Sequence, residues 1–221
     1  MNIGILGGSF DPIHAGHLLL AESARERLGL DRVLLIPAAS PPHKPGGRLA
    51  PAARRLAMVR AAVRGRPGLE ADGREIRRGG ISWTVDTLRS LRAEFPRARL
   101  FLIVGSDTLS DVARWREPAE IYRLATLAAS RRAGAPEAPL RGVPVRDGRG
   151  RRVPPRVVAV EMPAVGISAS DLRERVRTGR SIRWRTPEAV ERYIRRHGLY
   201  RTGPAGQHEG SKTRRRTKRR G

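Results

Sequence analysis

Two histidines near the amino terminus, His14 and His17, stand three residues apart and shortly after the glycine pair Gly7-Gly8. An apolar run, Ile3 to Leu6, precedes the glycines, and an apolar helix pattern follows the histidines, which predicts a strand, a turn and a helix start. Glycines let the backbone come close to a bulky group, and the unpaired N–H groups of a helix start suit phosphate. If the helix begins near His14, both imidazoles lie on one face and can reach the same oxygens. The pattern therefore predicts a phosphate-binding site.

Two common phosphate loops do not fit this stretch, because it contains neither Gly-x-x-x-x-Gly-Lys-Ser/Thr nor Gly-x-Gly-x-x-Gly. A histidine pair alone is often a plain surface feature of a helix start, but here Ser9, Phe10, Asp11 and Pro12 follow the glycines in fixed positions. The whole stretch, Gly-Gly-Ser-Phe-Asp-Pro-Ile-His-Ala-Gly-His, resembles the nucleotide-binding signature of the nucleotidyltransferase superfamily. It is most similar to the form carried by bacterial nicotinate-nucleotide adenylyltransferases.

A proline-rich loop after the second apolar run carries His43 and Lys44 within Pro-Pro-His-Lys. The loop follows the carboxyl end of a predicted strand, where open α/β sheets place their ligands, although an ordinary surface loop would have the same composition. Its sequence resembles a second signature of the nicotinate-nucleotide enzymes, which relatives that act on phosphopantetheine generally lack. This favours nicotinate mononucleotide as the acceptor, with nicotinamide mononucleotide and phosphopantetheine as the alternatives.

Two further stretches resemble family motifs, and each also has a plain structural explanation. Ser82, Trp83 and Thr84 match a Ser-aromatic-Thr that reaches the pyridine nucleotide, although a helix cap beside a packed aromatic would look the same. Gly105 and Asp107 match a Gly-x-Asp after a buried strand, where a carboxylate can hold ribose hydroxyls. A helix cap is the alternative for this pair as well.

The stretch Ile167-Ser168-Ala-Ser170-Asp171-Leu172-Arg173 resembles the third family signature, which is a second grip on phosphate. Ser168 and Ser170 can cap a predicted helix over Asp171–Arg177. Arg173 falls in the first turn of this helix, where a cation opposes the helix dipole and needs an anionic partner. A bound polyphosphate would supply that partner.

Two positions depart from the family pattern at the acceptor end. Trp115 matches the aromatic that stacks on the nicotinate ring, but Arg116 stands where the family usually has a second aromatic. Downstream, Arg131-Arg132-Ala-Gly carries Ala133 in place of the usual proline, and either arginine could meet phosphate.

The resemblance implies transfer of AMP from ATP to nicotinate mononucleotide, which gives deamido-NAD and pyrophosphate in NAD biosynthesis. The implied catalytic residues are His14, His17, Lys44 and Arg173. The implied ATP-binding residues are Gly7, Gly8, Ser9, Phe10, His14, His17, Gly105, Asp107, Ile167, Ser168, Ser170 and Arg173. The implied nicotinate-nucleotide-binding residues are Lys44, Ser82, Trp83, Thr84, Trp115 and Arg132. We expect Mg²⁺ on the ATP phosphates, with no metal site on the protein itself.

The composition limits the remaining classes of function. The 221 residues contain no cysteine, which excludes disulfides and thiol catalysis and agrees with a cytoplasmic location, and no apolar run predicts a membrane span or a signal peptide. A net charge of +24 favours anionic partners, so a basic nucleic-acid-binding protein is the alternative from another class. Aromatic residues for base stacking are few and no nucleic-acid motif occurs, which argues against that alternative. No feature of the sequence specifies an oligomeric state.

Apolar strands alternate with helix patterns along the chain, which predicts an α/β fold with a Rossmann-like, doubly wound parallel sheet of five to six strands and C-terminal helices. We expect one nucleotidyltransferase domain over residues 1–200 and a disordered basic tail over 201–221, which could bind RNA weakly. Strand 3 is predicted near Leu69–Ile76. Residues 133–156 are predicted to form a mobile loop without regular structure.

Overall fold

Six parallel strands form the central sheet in the computed structural model, which describes residues 1–42, 49–132, 140 and 142–201. In chain order the strands are β1 (Asn2–Gly8), β2 (Arg32–Pro37), β3 (Leu69–Ala71), β4 (Arg99–Val104), β5 (Ala125–Arg132), β6 (Val145–Arg146), β7 (Arg152–Val153) and β8 (Val157–Met162). The sheet has the order β3-β2-β1-β4-β5-β8, while β6 and β7 form a separate antiparallel pair. Strands β2 and β3 are added on one side of β1, and strands β4, β5 and β8 on the other side. The prediction of a doubly wound sheet is therefore confirmed.

Helices cover both faces of the sheet. They are α1 (Ala15–Leu28), α2 (Ala52–Val63), α3 (Arg74–Arg78), α4 (Thr84–Glu94), α5 (Ser106–Leu109), α6 (Pro118–Leu124), α7 (Ala169–Arg177) and α8 (Glu188–Arg196), with a 3₁₀ turn at Asp111–Arg114. In β2, Val33 and Leu35 join the core under α1, α2, α7 and α8, whereas Leu34 and Ile36 join the core under α4 and α6. This alternation follows from the two-residue period of a strand that is covered on both sides.

Two segments differ from the prediction. The third strand ends at Ala71 because the Asp72 carboxylate accepts a hydrogen bond from the Arg74 N–H at 2.8 Å and starts helix α3. The loop predicted over 133–156 contains the hairpin of β6 and β7. Asp147 organises the hairpin turn, since its carboxylate accepts hydrogen bonds from the N–H groups of Arg149 and Arg151 at 2.9 and 3.0 Å.

No helix in residues 1–42, 49–132 and 142–201 is long and apolar enough to cross a membrane. Residues 202–221 of the predicted basic tail lie outside the described residues, so the division at residue 200 stays a prediction.

Candidate active site

The site lies at the carboxyl ends of β1 and β4, where the sheet changes its winding direction. Open α/β sheets bind ligands at this crevice because the loops that leave the two strands diverge to opposite faces. A cavity of about 420 Å³ opens here, and it brings together the following residues predicted from the sequence: Gly7, Gly8, Ser9, His17, Ser82, Trp83, Thr84, Gly105 and Trp115. A larger cleft of about 1180 Å³ lies between α1 and α8, and none of the predicted site residues lines it.

The histidine pair begins α1, as predicted. The backbone N–H of His14, the N-cap residue, donates a hydrogen bond to Nδ1 of His17 at 3.2 Å. Because a neutral imidazole carries one proton, this hydrogen bond assigns the proton of His17 to Nε2. The two rings stack with their centroids 3.7 Å apart, and Phe10 meets the His17 ring edge-on at 5.0 Å. His17 thus presents one oriented N–H donor to the cavity.

Both imidazoles are neutral over the physiological pH range. Burial lowers the pKa of His14 from 6.5 to about 4. Burial and the neighbouring His14 lower the pKa of His17 to about 3. Phosphate groups bound beside these rings would raise both pKa values again, because a nearby negative charge favours the protonated form.

Contacts from the end of the chain hold the histidine segment in place. The buried Thr186 hydroxyl donates to the Ile13 carbonyl at 2.8 Å, and the Ala15 N–H donates to the Arg185 carbonyl at 2.9 Å. Two segments far apart in sequence therefore fix the entrance to α1.

The glycine turn packs tightly against Phe10. Phe10 is 1% exposed and has a positive φ of 47°, which is an uncommon conformation for a bulky residue. A Cβ at Gly8 would lie 3.4 Å from the Phe10 ring, which is an ordinary van der Waals contact. The Phe10 ring also contacts the His17 ring, which stacks on His14.

Arg55 is the supporting residue that the sequence did not single out. Its guanidinium is buried, and it donates to the Ser9 carbonyl at 2.8 Å, the Ala50 carbonyl at 2.9 Å and the Ala39 carbonyl at 3.2 Å. These carbonyls belong to the glycine turn, the start of α2 and the end of β2. The chain has 45 basic residues, so an arginine by itself is no signal. What could have distinguished Arg55 from the others is its position on the apolar face of the α2 pattern.

Arg173 reaches the glycine turn from α7. It donates to the Asp11 carbonyl at 2.7 Å and lies 3.8 Å from Oδ2 of the same residue. Asp11 also accepts a hydrogen bond from the Tyr200 hydroxyl at 2.6 Å, and burial together with this carboxylate raises the pKa of Tyr200. The anionic partner expected for Arg173 is thus present within the chain, so the dipole argument alone does not require a bound phosphate.

The other residues of the third signature surround Arg173. Ser168 caps α7 as predicted, since its hydroxyl accepts from the Asp171 N–H at 3.1 Å, and Arg173 donates to the Ser170 hydroxyl at 3.1 Å. Ser168 and Ser170 are exposed, whereas Ile167 packs against the core. A phosphate near α7 would meet two hydroxyls and a cation.

One end of the cavity is built from the start of α4 and the turn after β4, where the sequence predicts the acceptor. Trp83 and Thr84 line it on one side, with Trp115 and Arg116 on the other, and the Arg116 guanidinium carbon lies 5.5 Å from the centre of the Trp83 ring. An arginine over an aromatic face makes a cation–π contact, so Arg116 still packs on an aromatic ring in this wall.

Ser82 is buried and its hydroxyl accepts from the Ala39 N–H at 2.9 Å, so it joins the end of β2 to the start of α4. Glu75 lines the cavity next to it and was not predicted. The Thr87 hydroxyl donates to Glu75 at 2.6 Å, and burial raises the pKa of this carboxyl. The neighbouring Ser82 and Thr87 hydroxyls partly offset the cost of burying the group.

Lys44 lies outside the described residues, as does His43 beside it. The backbones of Asp107, in α5, and Arg132, at the end of β5, lie at the carboxyl edge of the sheet.

Comparisons with known proteins show which sequences this chain resembles. The cytidylyltransferase-like family model matches residues 5–175. A probable nicotinate-nucleotide adenylyltransferase of Thermomicrobium roseum is 46% identical over 200 residues, which is 90% of this chain and 92% of the relative. Another of Thermus thermophilus is 47% identical over 203 residues, which is 91% of this chain and all of the relative.

A solved structure shows the same fold. The Plasmodium falciparum nicotinic acid mononucleotide adenylyltransferase complexed with NaAD aligns with a TM-score of 0.70 at 18% identity and covers 90% of this chain and 97% of its own. The extent and the identity of the two bacterial matches place the chain within one family. This chain therefore belongs to the cytidylyltransferase-like family and, within it, to the nicotinate-nucleotide adenylyltransferases.

Proposed function

We propose that this protein transfers AMP from ATP to the 5′-phosphate of nicotinate mononucleotide, giving deamido-NAD and pyrophosphate. The observation that carries the proposal is the oriented His17 ring at the point where β1 and β4 diverge. Its Nδ1 is occupied by the His14 backbone, so its Nε2–H faces the cavity side as a donor for phosphate oxygen.

The reaction needs no nucleophilic side chain. An oxygen of the nicotinate mononucleotide phosphate attacks the α-phosphorus of ATP, a new oxygen–phosphorus bond forms, and pyrophosphate leaves as the α–β bridge breaks. The protein must align the two phosphates and stabilise the charge that builds on the equatorial oxygens. His14 and His17 would bind oxygens of the α- and β-phosphates.

Other parts of the chain would complete the contacts to the two nucleotides. Arg173, Ser168 and Ser170 would hold the β- and γ-phosphates, because they form a cluster of one cation and two hydroxyls beside the glycine turn. Gly7, Gly8, Ser9 and Phe10 would form the floor between the nucleotides, and Ile167 would support the third signature. Gly105 and Asp107 would take the adenosine ribose, and Lys44 and Arg132 would add positive charge.

A divalent cation, expected to be Mg²⁺, would enter with the triphosphate. Residues 1–42, 49–132 and 142–201 contain no group of three or more acidic, histidine or cysteine side chains that could hold a metal ion. Mg²⁺ keeps several waters and takes phosphate oxygens readily, so the nucleotide would supply its ligands. The ion would neutralise charge on the leaving pyrophosphate.

The pyridine ring would lie between Trp83 and Trp115, with Thr84 beside it, because these residues form the apolar walls of the cavity. Ser82 would act by holding the start of α4 in position, since its hydroxyl is engaged with Ala39.

The direct test is pyrophosphate release with ATP and Mg²⁺, with nicotinate mononucleotide, nicotinamide mononucleotide and phosphopantetheine offered in parallel. We expect nicotinate mononucleotide to give the highest kcat/KM. Turnover of phosphopantetheine alone would leave the phosphate chemistry intact and contradict the proposed acceptor. No release with any acceptor would contradict the function as a whole.

The domain boundary has its own test. Deletion of residues 202–221 should preserve the adenylyl transfer and reduce salt-sensitive RNA binding, because the basic run would contribute only electrostatic contacts. The matched deletion of 199–221 also removes Tyr200 and its contact with Asp11, and it should lower activity. Loss of activity in the shorter deletion would place the boundary elsewhere.

A further inference from the structure

We infer that Arg116 recognises the carboxylate of the pyridine nucleotide and so sets a preference for the nicotinate over the nicotinamide form. This inference rests on the proposed function and adds a specificity-determining residue to it. Nicotinate and nicotinamide mononucleotide differ only in whether the ring carries a carboxylate or a neutral amide. A fixed cation in the ring pocket therefore distinguishes them, whereas the phosphate contacts do not.

The position of Arg116 fits this role. It follows the 3₁₀ turn after α5 and lines the same cavity as Trp83 and Trp115. Its guanidinium lies 5.5 Å from the centre of the Trp83 ring, which belongs to the segment on the other side of the cavity. A pyridine ring bound in this cavity beside the two tryptophans would thus lie close to this cation.

The charge of Arg116 is available for a ligand. Its contact with Glu117 is made through Nε at 3.7 Å, and in the described part of the chain no hydrogen bond takes its N–H groups. Glu117 instead accepts two hydrogen bonds from Arg89, at 3.1 and 2.5 Å. A guanidinium stays protonated and presents a planar pair of donors that matches a carboxylate.

The other charged groups of the cavity are compatible with a bound carboxylate. Arg114 also lines it and adds positive charge, while Glu75 is the carboxyl group on the opposite side. Glu75 is only 7% exposed and accepts a hydrogen bond from the Thr87 hydroxyl. Burial favours the uncharged form of such a carboxyl, so it opposes a substrate carboxylate less than an exposed glutamate would.

The test replaces Arg116 with Met, which keeps the length of the side chain over Trp83 and removes the charge. We expect kcat/KM for nicotinate mononucleotide to fall about 5- to 20-fold, with a change of about twofold or less for the amide. The Arg116 side chain is 51% exposed, so this discrimination should weaken as salt is added. Arg116→Lys should restore part of the preference because it keeps the positive charge.

Two further variants and one binding measurement separate charge from structure. Arg97→Met removes an exposed arginine before β4, at the other end of that strand, and should leave the acid-to-amide ratio unchanged. Calorimetric affinities of the two mononucleotides without ATP should show the same drop for Arg116→Met. An unchanged ratio in Arg116→Met, an equal loss for both acceptors, or a larger loss in Arg114→Met would overturn the assignment to Arg116. If the unaltered protein used neither mononucleotide, that result would contradict the proposed function itself, and with it the inference on Arg116.

Discussion

The two ends of the site, the phosphate end and the pyridine end as we propose them, are built in different ways. At the phosphate end, Phe10, Asp11 and Arg55 are each about 1% exposed, and the contacts run largely to backbone atoms. At the pyridine end, Trp83 and Trp115 are half-buried and Arg116 is exposed, and all three residues line the cavity. Backbone contacts constrain a site more than side-chain contacts do. We therefore expect the proposed phosphate end to be the more rigid of the two, and the proposed pyridine end to be altered more easily by single substitutions.

The largest expected effect comes from the variant His17→Ala. The variant removes one oriented donor from the phosphate end, and we expect kcat to fall about 100- to 1000-fold with little change in KM. Steady-state kinetics with both substrates measure the split, and His197→Ala on the exposed surface near Arg54 is the matched control. Near-normal turnover in His17→Ala would mean that the phosphate chemistry lies elsewhere.

Arg55→Met tests whether the phosphate end depends on a buried clamp. Three backbone carbonyls would lose their donor, so we expect the free energy of unfolding to fall by about 3 kcal/mol in urea denaturation. The adjacent Arg54 is exposed and contacts Tyr193 and His197, so Arg54→Met should cost much less. Equal stability of the two variants would contradict a special role for the buried guanidinium.

The pH dependence of stability tests the same region. The folded protein keeps His14 and His17 neutral, with pKa values of about 4 and 3, whereas the unfolded chain protonates both near pH 6.5. Below pH 6.5 the unfolded state therefore binds more protons, and the free energy of unfolding falls as the pH decreases towards 4. At pH 5 the loss is about 2 kcal/mol for each histidine.

Urea denaturation at pH 7 and pH 5 measures this loss. The double variant His14→Gln/His17→Gln should lose less stability between the two pH values than the unaltered protein. The same loss in both proteins would show that other groups account for it.

Trp115→Ala should have the smallest effect, because it removes one wall of the pyridine end. We expect KM for the mononucleotide to rise about tenfold with KM for ATP unchanged, which is the scale of one stacking contact. Trp184, which is 88% exposed and outside this cavity, gives the matched control Trp184→Ala. A rise in KM for ATP as well would show that the two ends are not independent.

The sequence predicted the phosphate end better than the parts that support it. The start of α1 beside the histidine pair and the Ser168 cap follow from local spacing, and the structure confirms both. The phosphate-binding role of the histidine pair stays a prediction. Arg55 and Glu75 were missed because a buried charge can be recognised only by its distant partners, such as Ser9 for Arg55 and Thr87 for Glu75. Most of the site residues were predicted from the family resemblance, whereas the strands were predicted from local sequence patterns alone.

The contact between Tyr200 and Asp11 joins residues that are 189 positions apart in sequence. During synthesis, Asp11 leaves the ribosome early, and almost the whole domain must be made before Tyr200 can contact it. Arg173, which also binds Asp11, arrives late as well. The centre of the site is therefore completed only after the residues up to Tyr200 have been made, so a chain terminated before Tyr200 would lack this contact even if its sheet had formed.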